Sequence, residues 1–208
     1  EDAIGRKLNW DEDDITLQNI QARSRSPIIW MLANINHSLL LTTSNRSEGD
    51  VGYTTMDGDT SGSISPIAAI DKYFILEWLK YAETTLNYTA LSHVNNLAPT
   101  AELRPLNKKQ EDETDLMPYK VLVEIERWAI QHKYPPTMIY EKLKPKYGTD
   151  IKSWIKKFFR LWSINQWKRE RLAPSFHMDA FNVDPRTWCR FPILSSGFKE
   201  ELDELDKI

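Results

Sequence analysis

Cysteine is nearly absent from this chain, since Cys189 is the single cysteine among 208 residues. One thiol can form neither an internal disulfide framework nor a zinc site made of several cysteines. Long apolar runs are missing as well: the longest stretches, 28–33 and 39–41, fall far short of the roughly 20 residues that cross a bilayer. These absences exclude a disulfide-stapled domain and predict a protein without membrane-spanning segments.

Neither sign of charge is in excess, because 27 basic and 30 acidic residues leave a net charge of −3. Such a balance argues against a general nucleic-acid binder, although a local basic patch remains compatible with it. The first residues, Glu1-Asp2-Ala3-Ile4, do not form a signal peptide, so a cytoplasmic protein is expected. With 41% hydrophobic residues and eight tryptophans, the chain can bury a sizeable core.

Helical patterns cover most of the chain, and one strand is predicted. Pro27 is expected to break or kink the first helix, and the apolar run 28–35 after it is expected to be buried. The run 39–43 predicts a buried parallel strand, and one strand cannot form a sheet by itself. The chain is therefore expected to be the second half of an α/β domain, predominantly helical in this part. Further helices are predicted at 67–86, 119–133, 150–171 and 199–208, with one more starting at Pro135-Pro136.

Residues 42–48, at the end of the predicted strand, bring together hydroxyls, a guanidinium and a carboxylate. Hydroxyls and helix N-terminal amides suit phosphate oxygens, and Glu48 could hold a hard cation such as magnesium. Spacing alone favours a simpler reading, in which a Ser or Asn caps a helix and Glu48 is the acid of a capping box.

Two irregular segments are candidates for ligand loops. The loop 52–62 is rich in glycine, aspartate and threonine, so it could wrap a polar ligand or be an ordinary surface loop. The segment 98–118 combines three prolines with many charges, and is either functional or a solvated acidic linker. The four histidines show no spacing typical of metal ligands.

The stretch 142–171 carries ten basic residues and two acidic ones, with aromatic residues between them. A non-enzymatic helical module that binds RNA or DNA through this face is the alternative function. Helical spacing favours a different interpretation, an amphipathic helix with its lysines in water and its tryptophans in the core.

Taken in order, a series of short motifs over about 14–191 resembles the NAD synthetase family, and its final segment resembles the long, glutamine-dependent branch. Any one motif is weak, whereas their order and spacing together are specific. The motifs are Asn19-Ile20-Gln21-Ala22-Arg23-Ser24-Arg25, the run 42–48, Val51-Gly52-Tyr53, Gly58-Asp59, Ile64-Ser65-Pro66-Ile67, Lys72, Pro99-Thr100-Ala101-Glu102-Leu103 and the segment 165–177.

The resemblance implies an incomplete Rossmann-like domain of the ATP-pyrophosphatase type (adenine nucleotide alpha hydrolase-like). It implies ATP-dependent amidation of deamido-NAD to NAD through an acyl-adenylate, with magnesium and with ammonia that an amidase domain releases from glutamine. It also implies a homo-oligomer, at least a dimer, that binds neither membranes nor nucleic acids. By the same resemblance, ATP contacts are expected from Thr43, Lys72 and Thr100, deamido-NAD contacts from Arg23, Glu48, Tyr53 and Lys168, and a metal contact from Glu48.

Some features of the family pattern differ here. Met56, Ser63 and Trp167 stand where relatives carry a lysine, an aspartate and a histidine, and the Ser-Gly-Gly-x-Asp-Ser phosphate loop is absent. The chain is therefore expected to be a C-terminal portion of a synthetase, inactive alone and lacking the amidase domain. Its expected parts are the second half of the nucleotide-binding unit (1–80), a helical part (81–171) and a C-terminal extension (172–208).

Overall fold

The computed structural model describes residues 2–105, 112–176, 178, 183–187, 190–195 and 197–208. These residues form ten α-helices: α1 Asp14–Ile35, α2 Arg46–Val51, α3 Lys72–Thr84, α4 Ser92–Asn95, α5 Asp112–Asp115, α6 Tyr119–Glu126, α7 Pro136–Tyr147, α8 Ile151–Ile164, α9 Gln166–Arg169 and α10 Lys199–Asp206. Short 3₁₀ turns lie at Asp2–Ile4 and Thr89–Leu91, and a π-helical turn at Arg127–Gln131 continues α6.

The hydrophobic core lies among α6, α7 and α8, and α10 closes one side against α7. Ile125 of α6, Ile139 of α7, Phe158 of α8 and Leu205 of α10 are fully buried. Residues spaced three or four apart form these buried faces because that spacing returns to one side of a helix. The predicted helices at 150–171, at Pro135-Pro136 and at 199–208 are confirmed, with shorter bounds.

The basic stretch is an amphipathic helix, as its spacing predicts. Ile151, Ile155 and Phe158 are completely buried on one face of α8, whereas Lys156 lies outside and pairs with Asp206 of α10. Lys156 therefore lies on a solvated face over a hydrophobic core, whereas Lys157 and Lys168 donate to backbone carbonyls in partly buried positions.

The predicted buried strand is wrong in this structure. Leu41 forms one isolated parallel bridge with Ile64, and Ser65 forms another with Ser175, but no longer strand occurs in the described parts of the chain. Leu39 is 73% exposed, so the run has no packed layer over it. An apolar strand needs a neighbouring strand on each side and a layer on each face, and sequence pattern cannot show whether these are present.

Two expectations for the first helix are also wrong. Pro27 lies inside α1 and does not end it, so the predicted break is wrong, whereas a kink at Pro27 stays a prediction. The apolar run after it is expected to be buried, yet Ile28, Met31 and Ile35 are exposed and only Ala33 of that run is buried. No described element packs over this face, so its apolar character does not lead to burial.

Helix α2 is short but central, because it packs against α3, α6, α8 and α9. It ends at Gly52, whose φ of 65° is a left-handed conformation that favours glycine. A Cβ atom there would lie 2.4 Å from Cβ of Asn165, whose side-chain amide donates to the carbonyl of Val51 at 2.8 Å. This close approach packs the end of α2, and the start of the loop after it, against the start of α9.

Candidate functional site

Four residues for which the resemblance implies ligand contacts line one cavity of about 270 Å³: Thr43, Glu48, Lys72 and Thr100. Tyr53 lines the same cavity. Thr43, Glu48 and Tyr53 are close in sequence, whereas Lys72 and Thr100 come from two distant segments, so the fold brings three parts of the chain together. The cavity combines hydroxyl groups, one ammonium group and three carboxylates, and these groups can bind a phosphate-bearing ligand together with its cation.

Glu48 completes a capping box and also lines the cavity, and its contact with a metal stays a prediction. Asn45 caps α2 by accepting from the Glu48 backbone N–H at 3.1 Å, and Glu48 Oε2 accepts from the Asn45 backbone N–H at 3.2 Å, which completes a capping box. The same carboxylate lines the cavity, and its Oε1 lies 3.8 Å from Lys72 Nζ. Burial raises the pKa of Glu48, and the positive charge of Lys72 opposes that shift.

Lys72 is placed by the start of α3. Asp71 caps this helix by accepting from the Phe74 backbone N–H at 2.7 Å, and the Lys72 backbone N–H donates to Ser47 Oγ of α2 at 3.0 Å. The cap explains why the helix predicted at 67–86 begins at Lys72. The second bond fixes the start of α3 beside α2, so that Lys72 and Glu48 face each other.

Arg46 of α2 connects this helix to the residues that precede α3. Its side chain is almost fully buried, and it donates to the carbonyl of Ala69 at 2.8 Å and to Asp71 Oδ2 at 3.2 Å. Its Nε is paired with the carboxylate of Glu126 on α6. A guanidinium can make these contacts at once because its donors point in fixed, diverging directions.

Asp50 and Glu126 form a fully buried carboxyl pair next to Arg46. Burial raises the pKa of Asp50 to about 7, and burial together with the charge of Asp50 raises the pKa of Glu126 well above its usual range. Arg46 and Arg169 oppose the shift at Asp50, and Asp71 adds to both shifts. The folded protein therefore retains a proton on this pair at pH values where the unfolded chain has released it.

The free energy of unfolding should fall as pH rises from about 5 to 7. Because the folded pKa values are raised, the native state binds more protons than the unfolded state in this window, and each such proton contributes a slope of about 1.4 kcal/mol per pH unit. Glu126→Gln should reduce the slope of the unfolding free energy against pH. Glu124→Gln is the control, because Glu124 is a more exposed acid that pairs with Lys146, and it should leave the slope unchanged. Urea denaturation at several pH values measures both. An equal slope in the wild type and in Glu126→Gln would contradict this assignment.

Lys168 lines a second, smaller cavity of about 170 Å³ that shares Tyr53 and Asp59 with the first. Its ammonium group donates to the carbonyls of Gly52 and Thr54, at 2.8 and 2.9 Å, and so fastens the start of the loop 52–62. Burial lowers the pKa of Lys168. The loop is thus a wall shared by the two cavities.

Arg23 lies outside both cavities. Its Nε donates to the carbonyl of Met56 at 2.9 Å, and its side chain lines a separate surface pocket with Asn19 and Ser24. The structure therefore connects Arg23 to the loop 52–62 but does not place it beside Thr43 and Lys72. Its contact with deamido-NAD stays a prediction.

Tyr53 is held by a partner that the sequence does not suggest. Its hydroxyl donates to Asp115 Oδ2 at 2.9 Å, and burial together with that hydrogen bond raises the pKa of Tyr53.

Asp59 and Asp112 also line the first cavity, and neither has a sequence-based assignment. Asp112 lies in the acidic segment that could equally be read as a linker. Tyr119 lies seven residues after Asp112, and Pro118 lies between them. The spacing therefore does not predict that these two side chains meet, although they are hydrogen-bonded in the structure.

In the described residues no group of three or more histidine, cysteine, aspartate or glutamate side chains is arranged to hold a metal ion. A cation at this site would therefore need oxygen ligands from a bound molecule or from water in addition to Glu48. No helix of the described chain is long and apolar enough to cross a membrane.

Comparison with known proteins identifies the family of this chain. The model of the NAD synthase family matches residues 2–171. A glutamine-dependent NAD(+) synthetase of Arabidopsis thaliana is 33% identical over 213 residues, covering 94% of this chain and 29% of the relative. One from Aquifex aeolicus is 32% identical over 188 residues, covering 89% of this chain and 31% of the relative. The crystal structure of a glutamine-dependent NAD(+) synthetase from Cytophaga hutchinsonii superposes with a TM-score of 0.84 at 57% identity, covering 99% of this chain and 33% of that chain.

The chain belongs to the NAD synthase family. It spans about three-tenths of the length of the curated relatives it matches. No match supports the nucleic-acid-binding alternative.

Proposed function

We propose that this chain is part of an enzyme that amidates deamido-NAD to NAD, consuming ATP and using ammonia released from glutamine. The observation that carries the proposal is the single cavity lined by Thr43, Glu48, Lys72 and Thr100, within a fold shared with NAD synthetases. The relatives are named as glutamine-dependent NAD(+) synthetases, and the ammonia source is carried over from those names.

The proposed reaction has two steps. In the first, a carboxylate oxygen of the nicotinate attacks the α-phosphorus of ATP. The bond between the α-phosphorus and the oxygen that bridges to the β-phosphorus breaks, and pyrophosphate leaves. In the second, ammonia attacks the acyl carbon, loses a proton, and displaces AMP to form the amide. Because a carboxylate must approach a polyanion, the site has to neutralise and position phosphates rather than supply a covalent nucleophile.

Lys72, Thr43 and Thr100 suit that task, and the acidic residues of the cavity suit it when they hold a cation. The ammonium of Lys72, on a flexible stem, follows and neutralises phosphate oxygens, and the hydroxyls of Thr43 and Thr100 donate hydrogen bonds to them. Glu48 is proposed to hold magnesium, which neutralises phosphate charge when bound. We assign Tyr53, Lys168 and Arg23 to the deamido-NAD side, with Tyr53 available to stack on the nicotinate ring.

The bridges of Leu41 with Ile64 and of Ser65 with Ser175 support the finer fold assignment, an incomplete Rossmann-like domain. They are parallel, as in the sheet of that fold.

We propose that 1–80 completes a nucleotide-binding unit, that 81–171 is its helical part and that 172–208 is an extension. The exposed apolar face of α1 supports a homo-oligomer of the longer protein, and we further propose that this protein is cytoplasmic.

The proposal is tested on the full-length protein that carries this chain, supplied with ATP, glutamine and deamido-NAD. NAD, AMP and pyrophosphate should appear in equal amounts, because one adenylate forms for each amide. Nicotinic acid mononucleotide serves as a matched acceptor that lacks the adenosine half. Formation of ADP instead of AMP, or faster turnover of the mononucleotide, would contradict the proposed reaction or its acceptor.

The 208-residue chain alone should form no NAD from ATP, deamido-NAD and ammonia, because its sequence contains no Ser-Gly-Gly-x-Asp-Ser phosphate loop. Without those backbone amides the triphosphate loses much of its anchoring. An enzymatic cycling assay for NAD measures the outcome, with the full-length protein as the positive control. Detectable, ATP-dependent NAD from the purified chain would refute the expectation.

A further inference from the structure

Asp112 is a carboxylate of the first cavity that the proposed reaction has not used. It begins α5, its side chain is only 5% exposed, and it lines the same cavity as Glu48, Lys72 and Thr100. One of its oxygens, Oδ2, accepts from the hydroxyl of Tyr119 at 2.9 Å. The other, Oδ1, is buried and has no hydrogen-bond partner among the described residues.

The charges around this oxygen do not balance. Among the described residues that line the cavity, Lys72 carries the one positive charge, whereas Glu48, Asp59 and Asp112 are acidic. Lys72 lies beside Glu48, with 3.8 Å between Nζ and Oε1. Burial is the main cause of the raised pKa of Glu48, and the negative charge of Asp112 adds to it, which places the two carboxylates within electrostatic reach of each other.

A buried carboxylate oxygen without a partner is costly, and a protein removes that cost by pairing the oxygen or by using it to bind a cation. A divalent cation fits best here. Magnesium prefers oxygen ligands, and it is commonly held by one or two carboxylates together with water and the phosphates of a substrate.

We propose that Asp112 is a second carboxylate ligand, directly or through one water molecule, of the divalent cation that Glu48 holds. Tyr119 fixes the orientation of Asp112 by occupying Oδ2, so that Oδ1 remains for the cation or its water. Such supporting hydrogen bonds orient metal ligands in many sites. The inference rests on the proposed function, because the remaining ligands come from the phosphates of ATP and from water.

The test uses Mn²⁺ as the probe, titrated into the full-length protein with and without ATP and followed by the electron paramagnetic resonance signal of free Mn²⁺. Because ATP itself binds Mn²⁺, the titration with ATP is compared with the same titration of ATP without protein. Asp112→Asn should weaken Mn²⁺ binding by about tenfold or more. Glu113→Gln is the matched control: it changes the neighbouring exposed acid of the same helix and keeps an oxygen for the Tyr119 backbone N–H, so binding should be unchanged. Tyr119→Phe should weaken binding several-fold, and circular dichroism verifies that each variant is folded.

Wild-type Mn²⁺ affinity in folded Asp112→Asn would overturn the proposal and leave Asp112 as a structural acceptor for Tyr119. If that variant does not fold, unchanged affinity in Tyr119→Phe overturns it instead. Absence of Mn²⁺ binding by the wild type, with and without ATP, also overturns it. Binding of a fluorescent ATP analogue is measured separately. If Mn²⁺ does not bind but the analogue does, only the proposed cation site is contradicted. If neither binds, the proposed nucleotide cavity is contradicted as well.

Discussion

Replacing Lys72 by alanine in the full-length protein should slow pyrophosphate release from ATP and deamido-NAD by about a hundredfold, the usual effect of losing one group that stabilises charge in a transition state. Lys72 carries the positive charge of the first cavity beside Glu48, and its backbone is fixed to Ser47 of α2. Without the ammonium group, the nicotinate carboxylate would approach the triphosphate against uncompensated negative charge.

Lys80→Ala is the matched control for this variant. Lys80 is on the same helix α3, but it is exposed and pairs with Glu77 three residues earlier, so pyrophosphate release should remain at the wild-type rate. Lys72→Arg should restore only part of the rate, because the planar guanidinium differs in shape from the compact ammonium. Pyrophosphate release at the wild-type rate in Lys72→Ala would contradict the assignment of this residue.

Arg46→Met should lower the free energy of unfolding by about 3 to 5 kcal/mol, the cost expected when one member of a buried ion pair is removed. The substitution keeps much of the side-chain volume but leaves Glu126 buried without its guanidinium and the carbonyl of Ala69 without its donor. Equilibrium unfolding in urea measures the loss. Since Arg46 joins α2 to α3, Lys72 and Glu48 should also lose their fixed separation.

Two further variants distinguish this explanation from a general loss of packing. Adding Glu126→Gln to Arg46→Met should recover part of the stability, because a neutral amide is less costly to bury than an unpaired carboxylate. Lys80→Met, at an exposed ion pair, should cost less than about 1 kcal/mol. A loss below about 1 kcal/mol in Arg46→Met itself would show that the buried network contributes little.

Local sequence information is sufficient for several parts of the fold. The helices α7, α8 and α10 follow from apolar residues at helical spacing and, for α7, from the prolines at its start. The capping box of α2 also follows from sequence, because Asn45 and Glu48 are three residues apart and their bonds close within one turn. These features depend on neighbours along the chain, so their pattern is visible without a structure.

Contacts between distant segments are not visible in this way. Residues 28–35 and 39–41 are apolar enough to predict burial, but burial depends on a covering element, and of these described residues only Ala33 is buried. Asp112 is one acid in an acidic segment until folding places it beside Glu48. The carboxyl pair of Asp50 and Glu126 is similarly hidden, since 75 residues of sequence lie between two side chains that share one buried space.

By itself, the sequence determined the family and the main helices of this protein, because ordered motifs and helical periodicity are properties of the linear chain. It also placed Thr43, Glu48, Lys72 and Thr100 among the candidate ligand residues through the resemblance. Only the tertiary structure decided that these four share a cavity and that buried ionic groups hold α2 against α3. The reason is physical: hydrogen bonds within a helix join near neighbours, whereas a cavity and a buried charge network are formed by segments that meet only after folding.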